Sequence, residues 1–140
     1  SANLIAVTEA LAACAKVGLD LGIAYEAIAA SSGNSFVHET EGQVILNGSR
    51  DINFTMDLVK KDVGLFNAMA QEAGMELEMG NLVAEIFDDG IKRYGPREWS
   101  PNIIKRLEDD YNIEVVAPGF PAEMLDDELE ELGGEIRVRR

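Results

Sequence analysis

Residues 54–62, Phe-Thr-Met-Asp-Leu-Val-Lys-Lys-Asp, read as the start of a helix running from Phe54 to about Glu72. At about 100° per residue, Phe54, Leu58, Leu65 and Met69 share one face, with Phe66 beside them. Lys60 projects away from this stripe, as a solvated lysine should. Asp62 projects close to the middle of the stripe, and Lys61 lies at its edge. Removing either charge from water without a partner costs several kcal/mol. Two arrangements meet that cost. In one, Lys61 extends its ammonium to water and Asp62 pairs with a basic group or a helix N-terminus on a neighbouring element. In the other, the stripe faces a cleft and the two side chains line it, Lys61 donating hydrogen bonds to a ligand.

Outward from this stretch the chain reads as almost entirely helical. Residues 2–18 are alanine-rich and apolar nearly all round, which predicts a helix buried on several sides. Cys14 lies among its alanines as a small core filler. After Gly18-Leu19-Asp20 a short helix follows, and Ser31-Ser32-Gly33-Asn34-Ser35 is the clearest punctuation. Gly33 suits a helix C-terminus there, and Asn34 or Ser35 suits the next N-cap. Hydroxyls and amides at a helix boundary can also bind an anion, although caps use the same residues. A third helix is expected over Phe36 to Leu46, with His38 an ordinary exposed or half-buried residue, and residues 47–53 form a loop. Helical spacing returns over 76–95 and stops at Tyr94-Gly95-Pro96. A further short helix is expected from Ser100 as N-cap, with Pro101 at its first position. Beyond Asn112 two prolines and no helical period predict a loosely attached arm, with a weak acidic helix at 122–132. The fold class is therefore all-α.

Composition narrows the function. The chain has 140 residues and 46% hydrophobic content, enough for one core. One cysteine fits a reducing cytosol, so a cytoplasmic location is expected. One histidine and one cysteine argue against a zinc site or a serine-histidine-aspartate device. The net charge of −14 argues against nucleic acid and anionic membranes. Part of that charge is local, with ten carboxylates and no lysine or arginine from Glu108 to Glu131. That run reads as a solvated acidic tail.

Thr8-Glu9-Ala10-Leu11 followed by Gly18-Leu19-Asp20, then Ser31-Ser32-Gly33-Asn34-Ser35-Phe36, then Phe54 seven residues before Lys61-Asp62, then a long helix, occur in the order and separation of one family. Together they resemble the C-terminal helical domain of the β-hydroxyacid dehydrogenases, which include 3-hydroxyisobutyrate dehydrogenase and, more distantly, 6-phosphogluconate dehydrogenase. The resemblance covers roughly residues 3–107. It implies a multi-helix bundle of the 6-phosphogluconate dehydrogenase C-terminal-domain type over residues 1–109, with residues 110–140 an acidic, largely irregular extension. It also implies that Lys61 reaches the nicotinamide of NAD or NADP across an interdomain cleft, and that Phe54 and Asp62 line or support that cleft. Ser31, Ser32 and Gly33 match a segment that shapes the domain.

The chain carries no glycine-rich dinucleotide loop, the mark of the Rossmann domain that opens such enzymes. The family's acid/base lysine, in a Lys-x-x-Asn pattern, would fall before Ser1, and Asn3 lies past that motif. No catalytic residue is therefore assigned. The expectation is a fragment that is inactive and binds no dinucleotide alone, preceded in the whole enzyme by roughly 150 or more residues. That enzyme would act on a small hydroxy acid, and the helical domain would form a homodimer or larger assembly. The alternative is a stand-alone helical interaction module without catalysis.

Overall fold

The computed structural model describes residues 1–124. Six α-helices run in the order α1 (Ala2–Lys16), α2 (Leu21–Ala29), α3 (Phe36–Asn47), α4 (Met56–Glu72), α5 (Glu78–Tyr94) and α6 (Lys105–Tyr111), with a 3-10 turn over Ser100–Ile104 before α6. Among the described residues the only β-pairing is an isolated bridge between Thr55 and Trp99. The all-α expectation holds.

Helix α1 is the hub, touching α2, α3, α5, α6 and the 3-10 turn. Leu4, Val7, Leu11 and Ala12 enter the core from it, and the half-buried Cys14 packs against that core. Thr8 is buried too, its hydroxyl donating to the Ile5 carbonyl at 2.8 Å. Such back-bonding lets a polar side chain sit in an apolar contact. Helix α2 is capped by Asp20, whose carboxylate accepts from the Ile23 amide at 2.9 Å. Ser35 caps α3 by accepting from the His38 amide at 3.1 Å. Gly48 ends α3 at φ 90°, the left-handed conformation that favours glycine at this position. Gly33 plays no such part: α2 ends at Ala29, and Gly33 is absent from the residues of positive φ.

Three expectations are corrected. The long helix begins at Met56, so Phe54 and Thr55 precede it. Its first amides find partners outside the helix, Met56 donating to the Glu98 carbonyl at 2.9 Å and Asp57 to Pro96 at 3.0 Å. These contacts satisfy amides that a helix start leaves orphaned. Residues 100–104 form a 3-10 turn with fully or nearly fully buried Ile103 and Ile104, and the turn packs against α1, α3 and α4. His38 is fully buried, because Ser35 starts α3 in the phase that turns positions 38, 42 and 45 inward.

The arm beyond α6 also departs from expectation. Residues 113–122 lie across α3 as a strap, and α6 itself runs through the expected boundary at 109/110. Val115 is fully buried, and Ala117 donates to the Leu46 carbonyl at 2.8 Å. The Asn47 and Ser49 side chains donate to the carbonyls of Phe120 and Ala122 at 2.7 and 2.6 Å. Phe120 meets the Tyr25 ring edge-on at 5.1 Å. The anchor is Glu108, which receives both terminal nitrogens of the buried Arg50, at 2.7 and 2.8 Å, and the Val115 amide at 2.9 Å. Burial raises the Glu108 carboxyl, but the Arg50 and Val115 hydrogen bonds outweigh it and leave the carboxyl below its ordinary value. Most of the stretch expected as a weak acidic helix, from residue 125 onward, lies outside the described residues.

Candidate functional site

Helix α4 carries two apolar stripes. Met56, Val59 and Ala70 are buried against the rest of the molecule, with Val63 partly buried between them. The stripe of Leu65, Phe66 and Met69 points the other way, at 65%, 56% and 59% exposure. The lysine and carboxylate on that stripe are therefore not buried at all. The Lys61 and Asp62 side chains are 60% and 55% exposed and face each other at 3.2 Å. Among the described residues no neighbouring element supplies the basic partner that a buried Asp62 would have required. Lys60 is equally exposed and pairs with Asp88 of α5 at 2.5 Å.

Phe66 of the exposed stripe lines one wall of a groove of about 630 Å³. Asp62, Val63 and Phe66 supply this wall from α4. The α4–α5 turn and the start of α5 supply Glu76, Leu77, Met79 and Gly80, and α1 closes the groove with Ser1 and Ala2. Gly80 lets the two long helices approach: a β-carbon there would stand 2.1 Å from the Asn67 side-chain oxygen. The groove thus places the first turn of α1 beside Asp62, although the two are some sixty positions apart in the chain.

Other expected site residues lie apart. Lys61 is next to the groove and not among the residues lining it. Phe54 is half-buried, packs against the core and accepts from the Ser100 amide through its carbonyl at 2.8 Å. Ser31, Ser32 and Gly33 form an exposed turn in which the Ser31 hydroxyl accepts from the Gly33 amide at 3.1 Å and donates to Ile28 at 2.9 Å. This turn borders a second hollow, on the side of α1 that carries Asn3, Ala6 and Ala10. The two clusters therefore meet different sides of the first turns of α1 and share no cavity. His38 donates through Nε2 to the Tyr25 carbonyl, 2.9 Å away, and its ring stacks on Tyr25 at 4.4 Å. It faces the interior and neither groove.

Sequence reasoning missed Glu41, on α3. Its Oε2 is buried without a hydrogen-bond partner, and burial pushes its carboxyl up to about 7, partly opposed by the Ser1 amino group. The available signal was its phase: Glu41 shares a face of α3 with Val37, Val44 and Ile45.

Residues 1–107 match the model of a family described as NAD-binding of NADP-dependent 3-hydroxyisobutyrate dehydrogenase. The chain is 32% identical over 114 residues to 2-(hydroxymethyl)glutarate dehydrogenase of Eubacterium barkeri, an alignment covering 81% of this chain and 38% of that protein. It is 24% identical over 103 residues to L-threonate dehydrogenase of Haemophilus influenzae, covering 74% of this chain and 34% of that protein. The chain thus spans a little over a third of the length of the curated relatives it matches. With the family model covering most of the all-helical region, the chain belongs to the family of NAD-binding domains of NADP-dependent 3-hydroxyisobutyrate dehydrogenase.

Proposed function

We propose that this chain is the C-terminal helical domain of an NAD(P)-dependent 3-hydroxyacid dehydrogenase, forming one wall of its cofactor and substrate cleft. The observation that carries the reading is the groove in which the first turn of α1 meets Asp62, Val63 and Phe66 of α4. A stripe holding a lysine, a carboxylate and three large apolar side chains suits a wall that a second domain faces.

Lys61 fits a dinucleotide chemically. Its ammonium is exposed and has only the adjacent Asp62 as an ion-pair partner among the described residues, so donors remain for a ligand oxygen. Asp62 orients that ammonium and keeps its charge compensated while the cleft is open. Phe54, at the foot of α4, supports the end of the helix from which Lys61 projects. The nicotinamide, when bound, supplies the hydride acceptor or donor. The chain's own residues position it and exclude water. The isolated chain would be catalytically inactive.

The same open surface supports assembly. Leu65, Phe66 and Met69 of α4 continue into Met75, Met79 and Leu82 around the α4–α5 turn, all at least half exposed. An apolar surface of this kind marks an interaction site, and a homodimer through the helical domain would cover it. It also favours the second reading, a helical interaction module without catalysis.

The test is Lys61→Ala in the full-length enzyme. A lost charge-assisted contact of about 2–3 kcal/mol predicts about a hundredfold fall in kcat/KM, with thermal stability within about 1 °C. Unchanged kinetics would overturn the cofactor role. A dinucleotide-blind full-length protein that still assembles would select the interaction module.

A further inference from the structure

The start of α4 is held by more than its own cap. Thr55 stands at the N-cap, but its hydroxyl makes no bond to a helix amide and donates instead to the Asp57 carboxylate. That carboxylate also accepts from the Leu58 amide at 3.0 Å and from Arg97 at 3.1 Å. Arg97 belongs to residues 95–100, the segment that leads from α5 into the 3-10 turn. The same segment accepts the Met56 and Asp57 amides through Glu98 and Pro96, pairs Trp99 with Thr55, and donates the Ser100 amide to Phe54. Glu98 ties it down, its carboxylate accepting from Asn102 at 2.9 Å and from Lys105 at 3.1 Å. Thr55 and Ser100 are buried, which shields this bridge from water. Among the described residues, Asp57 makes the only side-chain hydrogen bond from α4 to the segment. Lys61 follows four positions later, one turn along the same face of the helix.

We propose that Asp57 is a positioning residue for Lys61: by fixing the first turn of α4 to residues 95–100, it sets where the Lys61 ammonium stands. The proposal rests on Lys61 meeting the dinucleotide. A lysine is a point charge on a flexible four-carbon stem, and the Lys61 side chain is 60% exposed. Its precision is therefore that of the helical turn that carries it. A carboxylate in the first turn also complements the positive end of the helix. The Thr55 hydroxyl, then Arg97 and the Leu58 amide, hold the Asp57 carboxyl below its ordinary value, so it stays charged across the neutral range.

The experiment compares Asp57→Ala in the full-length enzyme with the same change in a Lys61→Ala background, titrating NADH and NADPH by calorimetry. With Lys61 present, the change should weaken binding of the preferred dinucleotide by about tenfold, a size usual for coupled neighbours. With Lys61 absent, it should alter affinity by less than about twofold. Asp57→Asn, which keeps an acceptor for Thr55 and Leu58, should recover part of the affinity. Hydrogen exchange of the unliganded enzyme gives a readout that needs no cofactor. Residues 54–62 should exchange faster in Asp57→Ala, while residues 40–47 of α3 keep their protection. Unaltered affinity or unaltered exchange at 54–62 overturns the proposal. So does an equal loss in both backgrounds, since Asp57 would then act independently of Lys61. Wild-type affinity in Lys61→Ala overturns the cofactor reading itself, whereas a weakened Lys61→Ala beside a silent Asp57→Ala ends only the positioning role.

Discussion

Helices α3 and α4 show two fates for apolar residues in one small chain. On α3, Val44, Ile45 and Leu46 are all fully buried, because α1, α2, the 3-10 turn and the 113–122 strap surround the helix. On α4, α5 and the 3-10 turn cover one face. Leu65, Phe66 and Met69 remain open to water. The chain therefore completes its own core around α3 and leaves the outer face of α4 open to water. Burial costs the charged groups differently in the two places. Arg50, at 7% exposure, needs its bidentate carboxylate, whereas Lys61 and Asp62 keep their hydration and need none.

The largest break in this contrast comes from the closed side. Glu108→Ala leaves Arg50 buried without a counterion and the Val115 amide without its acceptor, a loss of about 3–5 kcal/mol. Urea denaturation should show it as a lower midpoint. The double change Arg50→Met with Glu108→Leu should recover much of the loss, since an apolar pair of similar volume often replaces a buried ion pair without penalty. An intermediate effect is expected where α5 meets the 3-10 turn. A β-carbon at Gly90 would stand 2.4 Å from Ile103 and 3.2 Å from the Met56 sulfur. Gly90→Ala should cost about 1–3 kcal/mol through overpacking, read as a fall in melting temperature. The smallest effect belongs to the open face. Phe66→Ser should change monomer stability by no more than about 0.5 kcal/mol, while sedimentation shows weaker self-association. A loss of several kcal/mol there would mean that the face is part of the core and would end the comparison.

Some helix ends were legible because they carry local chemistry, Ser35 as a cap and Gly95-Pro96 as a break, whereas the Asp20 cap and the left-handed Gly48 emerged only from the structure. The start of α4 was not, since the amides of Met56 and Asp57 are satisfied by carbonyls forty residues away in sequence. Periodicity placed Leu65 and Met69 on one face of α4, but an angle on a wheel does not say whether anything lies opposite. Met56, Val59 and Ala70 have equally helical spacing, and they are the residues the chain buries. The strap was illegible for a different reason. Its contacts join backbone groups to the side chains of Asn47 and Ser49, and such pairs leave no repeat in the sequence. At the candidate site, Lys61 and Asp62 were visible as an anomaly, while the meeting of Asp62 with Ser1 is a property of the tertiary fold alone.

The strap also sets an order of events during synthesis. Asn47 and Phe120, which it joins, are 73 residues apart in the chain. At about 5–20 residues per second, the ribosome completes Asn47 roughly 4–15 s before Phe120. For that interval Tyr25 lacks the aromatic ring that packs on its edge, and Arg50 lacks its carboxylate until Glu108 is made. The last part of the described chain to emerge is thus the part that seals the first, and a nascent chain arrested near residue 107 would present that unsealed face to chaperones and proteases.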